Sequence, residues 1–246
     1  KKIIHSINKF FNKIDIHIVK KTFFEKLLRN QLHDLELLKN IDKKQRLNFI
    51  DYLDLSKSQL RQDLFVLSEL EFKKKGYFVE FGATNGLDIS NTYLLEKKFD
   101  WNGIVAEPAK KWHHELKKNR KVNIETDCVW RETGKVLNFN EVDETELSTI
   151  DKFSSSDQHQ NLRKNGKQYK VSTISLKDLL AKYMAPKIID YLSIDTEGSE
   201  YEILENFDFK NYKFKVITCE HNYNENREKI YNLLSDNGYK RKLTKI

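Results

Sequence analysis

Cysteine, proline and glycine are scarce in this sequence, with 2, 2 and 8 residues respectively among 246. The two cysteines, Cys128 and Cys219, lie far apart and form no CxxC or Cys/His cluster, so the sequence indicates neither a zinc site nor a disulfide scaffold. No uncharged apolar run approaches the roughly 20 residues of a membrane-spanning helix, and the start lacks the apolar core of a signal peptide. We therefore expect a cytoplasmic protein that is either soluble or peripheral to a membrane.

Basic charge, in contrast, is abundant. The formal net charge is +7, which favours contact with an anionic partner such as nucleic acid, a membrane surface or a phosphorylated substrate, without choosing among them. Hydrophobic residues make up 39% of the chain, enough to bury one sizeable core. The composition therefore predicts one main domain with an appendage.

The appendage is predicted at the N-terminus. Residues 1–48 contain no glycine or proline, and the apolar residues between Ile3 and Ile18 recur at intervals of three and four, which indicates amphipathic helix. We predict a basic helical segment over residues 1–55 and a main domain over residues 56–246. Basic amphipathic helices can lie on lipid, but packing on the main domain or in a homo-oligomer is their more ordinary use.

From residue 77 onward, short apolar runs alternate with helical segments. The predicted strands cover residues 77–81, 103–107, 122–129, 188–194 and 214–220. The predicted helices cover residues 56–72, 92–98, 111–119, 199–206 and 227–236. Alternating strands and helices are typical of a doubly wound, mostly parallel α/β sheet, which is a Rossmann-like fold.

An interruption separates the third and fourth predicted strands. Residues 131–170 contain spaced apolar residues and then the polar stretch from Ser154 to His159, which we interpret as a hairpin and a loop. Polar loops at the carboxyl edge of an α/β sheet commonly cover ligands, although a plain surface insertion is an equally good interpretation.

The first predicted strand leads into a glycine loop. An acidic strand residue is followed by Gly-x-x-x-Gly and a helix, and the residues concerned are Glu80, Gly82, Ala83, Asn85 and Gly86. Glycines allow close approach of the backbone, and a helix N-terminus presents free N–H groups. The pattern resembles a nucleotide loop, but the dinucleotide fingerprint G-x-G-x-x-G is absent because Thr84 takes the place of its second glycine.

Acidic residues end several predicted strands. Glu107 lies about 20 residues beyond the glycine loop, where an acid can accept hydrogen bonds from ribose hydroxyls. Asp195 and Glu220 end the fourth and fifth strands, and together they could hold one Mg²⁺ through oxygen ligands, with His221 or Asn222 alongside. Because imidazole titrates near neutral pH, His221 is our candidate for a general base or a metal ligand.

The residues after Asp195 have a simpler interpretation. A helix is predicted to begin there, so that Thr196 or Ser199 caps it and Glu197 and Glu200 are favourable charges of its first turn. No catalytic role is needed to explain these four residues.

Three motifs occur in an order that resembles the FkbM family of methyltransferases. They are Val-Glu-Phe-Gly-Ala with Asn-Gly at residues 79–86, Leu-Ser-Ile-Asp-Thr-Glu-Gly at 192–198, and Glu-His-Asn at 220–222. The resemblance covers the chain from about residue 56 to its end. It implies a Rossmann-like methyltransferase fold, S-adenosylmethionine as methyl donor and, in most cases, O-methylation, often of a sugar or a natural-product hydroxyl.

The resemblance also suggests roles for single residues. The loop residues from Glu80 to Gly86 would lie at the methionine end of the cofactor, with the Glu80 carboxylate near the ammonium group. Glu107 would contact the ribose. Asp127 and Cys128 would flank the adenine, although a turn aspartate and a buried cysteine are equally good interpretations. Asp195, Glu220 and His221 would lie near the reacting hydroxyl, with His221 as the base.

Two other functions fit parts of the sequence. A nucleic-acid methyltransferase is suggested by the net charge and by the lysines and aromatic residues of residues 1–55, but the chain has no recognised RNA-binding motif and no nucleic-acid partner is expected. A cofactor-binding scaffold without catalysis would use the N-terminal helices to bind a partner or an anionic membrane.

Overall fold

The computed structural model describes residues 21–143, 145–155, 160–221 and 225–243. The chain divides into two compact units, Lys1–Ile41 with Leu243–Ile246, and Asp42–Lys242. In the first unit, helix α1 covers Lys21–Asn40, which lies within the predicted helical segment. The apolar spacing between residues 3 and 18, on which that prediction is based, lies outside the described residues. The division falls after Ile41, and the domain boundary predicted at residue 55 stays a prediction. No helix that the structure describes is long and apolar enough to cross a membrane.

The second unit begins with two short helices, α2 at Arg46–Tyr52 and α3 at Gln62–Glu69. The helix predicted over residues 56–72 is too long at both ends. Ser56 does not cap it; the Ser56 hydroxyl instead donates to the Asp63 carboxylate at 2.6 Å, and Arg61 has a left-handed backbone with φ of 59°. These local bonds hold residues 56–61 as a loop that precedes the helix.

Five parallel strands form the central sheet of this unit. In chain order, its strands are β1 at Tyr77–Phe81, β2 at Asn102–Ala106, β3 at Asn123–Glu125, β8 at Ile188–Ile194 and β9 at Lys213–Cys219. Their order across the sheet is β3-β2-β1-β8-β9, with every neighbouring pair parallel. The bounds of β1 and β8 agree with the prediction, and those of β2 and β9 differ by one residue at each end. The predicted Rossmann-like α/β fold is confirmed.

The prediction of one strand over residues 122–129 is wrong. Residues 122–129 divide between β3 of the central sheet and β4 at Cys128–Trp130, which belongs to a second sheet. The Glu125 carboxylate accepts hydrogen bonds from the backbone N–H groups of Thr126 and Asp127 at 2.9 and 3.0 Å. This local turn ends β3 and redirects the chain.

The second sheet is formed largely by the predicted insertion, residues 131–170, and extends beyond it at both ends. Its order is β4-β7-β5-β6, with β5 at Val136–Glu141, β6 at Thr149–Ile150 and β7 at Lys167–Ser175. The consecutive strands β5 and β6 pair antiparallel, which confirms a hairpin in this region, and β5 also pairs antiparallel with β7. The short helix α6, Gln160–Arg163, precedes β7. Trp130, Phe139 and Phe153 belong to the buried apolar cluster of this sheet.

Helices flank the central sheet. They are α4 at Tyr93–Phe99, α5 at His113–Asn119, α7 at Leu176–Lys182, α8 at Glu200–Glu205 and α9 at Asn226–Asp236. Val79 and Phe81 of β1 share a buried cluster with residues of α7, α8 and α9. Apolar contacts with the helices therefore stabilise the body of the sheet. The polar groups lie at the carboxyl ends of the strands, outside these contacts.

Candidate active site

A cavity of about 360 Å³ opens at the carboxyl edge of the central sheet, a volume typical of small-molecule sites. The loops after four of its strands line the cavity together with residues of the second sheet. The wall includes Gly82, Thr84, Glu107, Pro108, Cys128, Val129, Phe139, Ser148, Ile150, Asp195, Glu197 and Glu220. Because β1 lies between β2 and β8, the cavity is at the point where the strand order reverses, the usual ligand position in open α/β sheets.

The glycine loop after β1 is shaped by close contact with β8. Gly82 has φ of +73°, and a Cβ atom there would lie 1.9 Å from the Asp195 carbonyl oxygen. The N–H groups of Gly82 and Ala83 both donate to the Ala106 carbonyl, at 3.1 and 3.2 Å. Glycine is thus required at residue 82 for packing between strands. Of the five predicted loop residues, Gly82 alone is part of the cavity wall.

The other glycine of this loop also has a packing role. A Cβ atom on Gly86 would lie 2.6 Å from both the Leu116 and the Arg120 side chains. Asn85 uses its amide oxygen to accept from the N–H groups of Leu87 and Asp88, at 3.0 and 2.9 Å. The expected cofactor contacts of Ala83, Asn85 and Gly86 stay predictions, and their observed contacts are with the protein.

The Glu107 carboxylate, at the end of β2, joins two loops of the cavity wall. One oxygen accepts from the Thr84 N–H at 2.8 Å and the other from the Ala109 N–H at 2.7 Å. Burial, with repulsion from Glu141 and Asp195, raises the pKa of Glu107 to about 7. Each carboxylate oxygen keeps a second lone pair for a ligand hydroxyl. Glu107 therefore offers an acceptor in the cavity wall, and its contact with a ribose stays a prediction.

Glu80, by contrast, is buried behind the glycine loop and outside the cavity wall. Its carboxylate accepts from the Asn91 N–H at 2.7 Å and the Thr92 hydroxyl at 2.6 Å, and Arg120 forms an ion pair with it at 3.2 Å. These bonds fix the start of α4 and explain why an acid lies on a buried strand. The predicted contact of Glu80 with the ammonium group of a cofactor stays a prediction.

Three carboxylates meet at the ends of β8 and β9. Oxygen atoms of Asp195, Glu197 and Glu220 all lie within 4.8 Å of one another. The Glu220 N–H donates to the Ile194 carbonyl at 2.9 Å, which aligns the two strand ends and places Asp195 beside Glu220 as the sequence predicts. Burial raises the pKa of both residues, and repulsion from Asp195 raises that of Glu220 further.

Glu197 belongs to this group although sequence analysis assigned it to a helix first turn. Helix α8 starts at Glu200, and Glu197 lies in the preceding loop with φ of 58°. Its carboxylate forms an ion pair with Arg163 at 2.7 Å. The sequence feature that could have placed Glu197 in the site is its position two residues after Asp195. A favourable charge in the first turn of a helix was, however, sufficient to explain an acid at that position. The partner, Arg163, is distant in sequence and carried no signal.

Glu200 also has a role that differs from a helix-dipole charge. One of its oxygens accepts from the Thr196 N–H, at 2.9 Å, and from the Gly198 N–H, at 3.0 Å. It therefore holds the loop that carries Asp195 and Glu197 in place. Backbone bonds of this kind orient the acids that line the cavity.

His221 follows Glu220 but is not part of the cavity wall. Burial lowers the pKa of His221, and the positive charges of Arg227 and Arg241 lower it further, so its imidazole is neutral at pH 7. Asn222, the third predicted metal ligand, lies outside the described residues. The catalytic role of His221 and the metal contact of Asn222 stay predictions.

The two predicted adenine neighbours have different positions. Cys128, at the start of β4, is buried in the wall, and burial raises the pKa of its thiol to about 12. It is therefore a neutral, apolar surface at physiological pH. Asp127 is half-buried and not part of the wall, so its predicted contact stays a prediction.

A parallel α/β sheet with a glycine loop, a strand-end acid after β2 and a cavity at the switch point defines a Rossmann-like protein. A comparison with protein families agrees: the model of the methyltransferase FkbM domain matches residues 80–241, more than half of the chain. The chain therefore belongs to the FkbM methyltransferase family, as its motifs predict. No curated protein matches it.

Proposed function

We propose that the chain is an S-adenosylmethionine-dependent O-methyltransferase that acts on a hydroxyl group of a sugar or a related metabolite. The observation that carries this proposal is the cavity of an FkbM-family domain, with Glu107 in one part of its wall and the carboxylates of Asp195 and Glu220 in another. S-adenosylmethionine, when bound, supplies a methyl group that is activated for displacement by its sulfonium.

The residues present fit this cofactor. Gly82, Thr84 and Glu107 would hold its methionine and ribose parts, because they combine a closely packed backbone with a buried hydrogen-bond acceptor. Cys128 and Val129 are buried and apolar, which suits the face of an adenine ring. The role of the protein is to orient the reactants: it must align the methyl group of the donor with the hydroxyl group of the acceptor and exclude water.

The protein must also remove a proton from the acceptor hydroxyl, which is poorly acidic. His221 is the proposed base. Its pKa is lowered, so its imidazole is neutral and able to accept a proton at neutral pH. Asp195 and Glu220 are the second candidates, because both line the cavity. Activity measurements on a His221 variant distinguish a histidine base from a carboxylate base.

A divalent cation such as Mg²⁺ is a further part of the proposal. Asp195, Glu197 and Glu220 offer three carboxylates, and oxygen ligands of this kind suit Mg²⁺. An ion there would lower the pKa of the acceptor hydroxyl. The ion pair between Arg163 and Glu197 reduces the charge available to the ion, so the Asp195 and Glu220 carboxylates would hold it most directly.

The proposed partners are small hydroxyl acceptors. A homo-oligomer or peripheral membrane contact through residues 1–55 is proposed from the sequence, and most of that segment precedes the described side chains. Flotation with anionic vesicles and light scattering of the intact chain test it.

The proposal is tested by calorimetric titration with S-adenosylmethionine and S-adenosylhomocysteine, with and without Mg²⁺. We expect binding of both, and its loss in Glu107→Ala but not in Glu115→Ala, which removes an exposed carboxylate from α5. Binding would justify a screen of sugar acceptors. A folded protein that binds neither compound in any condition would overturn the proposal and favour the scaffold alternative.

A further inference from the structure

The amino edge of the central sheet carries a row of exposed lysines. We define this edge as the first residue of each of the five strands and the three residues before it. Its exposed charged side chains are six lysines and one acid, namely Lys74, Lys75, Lys121, Lys187, Lys210, Lys213 and Asp100. At the carboxyl edge, the last residue of each strand and the three after it include no lysine or arginine in the part of the chain that the structure describes. The two edges of the sheet therefore differ in charge.

Local structure does not account for these six lysines. None of them lies in a helix, so none balances the negative end of a helix dipole. Among the described residues, none of the six forms a salt bridge. The buried acid near this edge, Asp190, pairs with two other lysines, Lys73 at 2.7 Å and Lys215 at 2.8 Å. The six lysines therefore keep their charge for an outside partner.

The parallel sheet brings these lysines together. The Lys213 N–H donates to the Lys187 carbonyl at 2.9 Å, so the starts of β8 and β9 are adjacent, and β1 lies on the other side of β8. Neighbouring strands are about 5 Å apart, which makes the whole edge about 20 Å wide. Since adjacent strands are closer than a Debye length, their lysines act together on an anionic surface.

Two exposed apolar side chains accompany the lysines. Ile188, the first residue of β8, is 60% exposed. Met184, in the loop before β8, is 89% exposed, the largest exposed fraction of any large apolar side chain among the described residues. A lipid bilayer suits this combination, because its anionic headgroups attract lysines and its acyl boundary accepts apolar groups. A nucleic acid offers phosphates without a comparable apolar layer.

We propose that the amino edge of the central sheet is a docking surface for an anionic lipid bilayer, with its lysines at the headgroups and with Met184 and Ile188 at the acyl boundary. This surface belongs to the second unit and is distinct from residues 1–55, for which membrane contact is proposed from the sequence. The seven residues of β8 span about 20 Å, so the cavity at the carboxyl edge lies away from the bilayer. One consequence rests on the proposed function: the hydroxyl acceptor reaches the cavity from the aqueous side.

Flotation of the chain with lipid vesicles tests the proposal. We expect binding to vesicles made of equal parts of phosphatidylcholine and phosphatidylserine, and no binding to phosphatidylcholine alone. Added salt should weaken the binding, because it screens the attraction between lysines and anionic headgroups. No binding to the anionic vesicles at physiological salt would overturn the proposal, and so would equal binding to both compositions. Either result leaves the proposed function intact, since the calorimetric titration with S-adenosylmethionine tests that separately.

A charge variant locates the docking surface. In Lys74→Gln/Lys187→Gln/Lys213→Gln, one lysine is removed at the start of each of three adjacent strands. We expect the affinity for the anionic vesicles to fall about a hundredfold, since each lysine near a bilayer contributes a factor of about five. Unchanged affinity would assign the binding to another surface, such as residues 1–55, and would overturn the proposal.

A second variant with the same change in charge is the control. Lys164→Gln/Lys167→Gln/Lys170→Gln removes three exposed lysines in and before β7, on the second sheet. Its affinity for the anionic vesicles should equal that of the unaltered chain. An equal loss in both triple variants would attribute the binding to net charge alone and would overturn the assignment to the amino edge.

An apolar variant distinguishes a bilayer from a nucleic acid. Met184→Asn/Ile188→Thr keeps the charge, and asparagine tolerates the left-handed backbone of Met184, with φ of 50°, while threonine suits a strand. We expect weaker binding to the anionic vesicles. Tighter binding of the unaltered chain to a single-stranded RNA than to the vesicles would identify a nucleic acid as the partner and overturn the proposal. The thermal unfolding midpoint of each variant checks that it folds, and if one does not, the comparison of the two vesicle compositions on the unaltered chain still decides.

Discussion

The Arg163 guanidinium lies 2.7 Å from the Glu197 carboxylate, and both side chains are buried. Arg163 also donates from Nε to the Leu147 carbonyl at 2.7 Å. One side chain of α6 thus joins the strand-end loop after β8 to the segment before β6. The Thr149 hydroxyl adds a bond to the Glu197 carbonyl at 2.9 Å. The second sheet is fixed to the acidic end of the central sheet by polar contacts.

Removal of this guanidinium should destabilise the protein strongly. In Arg163→Met, Glu197 becomes a buried carboxylate without its cation, and we expect a loss of about 3–5 kcal/mol in the free energy of unfolding. Urea denaturation measures it. In Arg163→Met/Glu197→Gln the buried charge is absent, so part of the loss should be recovered. Equal stability of Arg163→Met and the unaltered protein would show that the pair contributes little.

A methyl group on Gly82 should disrupt the cavity. The added Cβ would lie 1.9 Å from the Asp195 carbonyl oxygen, so β1 and β8 would have to separate at the carboxyl edge. We expect Gly82→Ala to lose several kcal/mol of stability, or to fold without binding S-adenosylhomocysteine.

Gly134→Ala is the matched control for this change. Gly134 also has a positive φ, +82°, but a Cβ there meets nothing within 4 Å. Its cost should be limited to the backbone conformation, about 1–2 kcal/mol, with ligand binding kept. Similar effects of both substitutions would attribute the Gly82 requirement to φ alone.

The sequence predicts the central sheet well because its strands are buried on both faces. β1 and β8 are short, mostly apolar runs, each with one acid, and are bounded by charged or glycine residues, which is close to the pattern of a parallel strand. β7 was missed, since Lys167–Ser175 is exposed at alternate residues and contains only Tyr169, Val171 and Ile174 as large apolar residues. A half-exposed strand of this kind has a weak signal.

In the candidate site, too, some features could be predicted from the sequence and others could not. Asp195 and Glu220 were predicted together because parallel strands end at one edge, and the structure places them side by side. Glu80 carried an equally clear motif, but a linear pattern does not show that Arg120 lies behind it. The Arg163 contact joins residues 34 positions apart, through a segment with no regular period. Such contacts depend on tertiary packing and escape local analysis.

The buried Glu107 should make stability depend on pH. Its pKa is raised to about 7 in the folded chain from an ordinary 4.5, so between these values the folded state holds a proton that the unfolded state has released. Stability from this group is present below pH 4.5 and is lost as the pH rises through 7. The expected loss is about 3 kcal/mol.

A comparison of two proteins isolates the contribution of Glu107 from those of the other buried acids. Denaturation midpoints of the unaltered chain and of Glu107→Gln are measured from pH 5 to 8. The difference between them should change across this range, with the variant less sensitive to pH. Parallel curves would show that Glu107 titrates normally.

The last test concerns the proton of the acceptor. His221→Ala should retain S-adenosylhomocysteine binding, because the side chain is not part of the cavity wall. If His221 is the base, turnover should fall by a factor of about 10²–10⁴, the usual contribution of general base catalysis. His114→Ala, an exposed histidine of α5, is the control. Full activity of His221→Ala would remove this imidazole from the mechanism, and the carboxylates of Asp195 and Glu220 would then be the groups that contact the reacting hydroxyl.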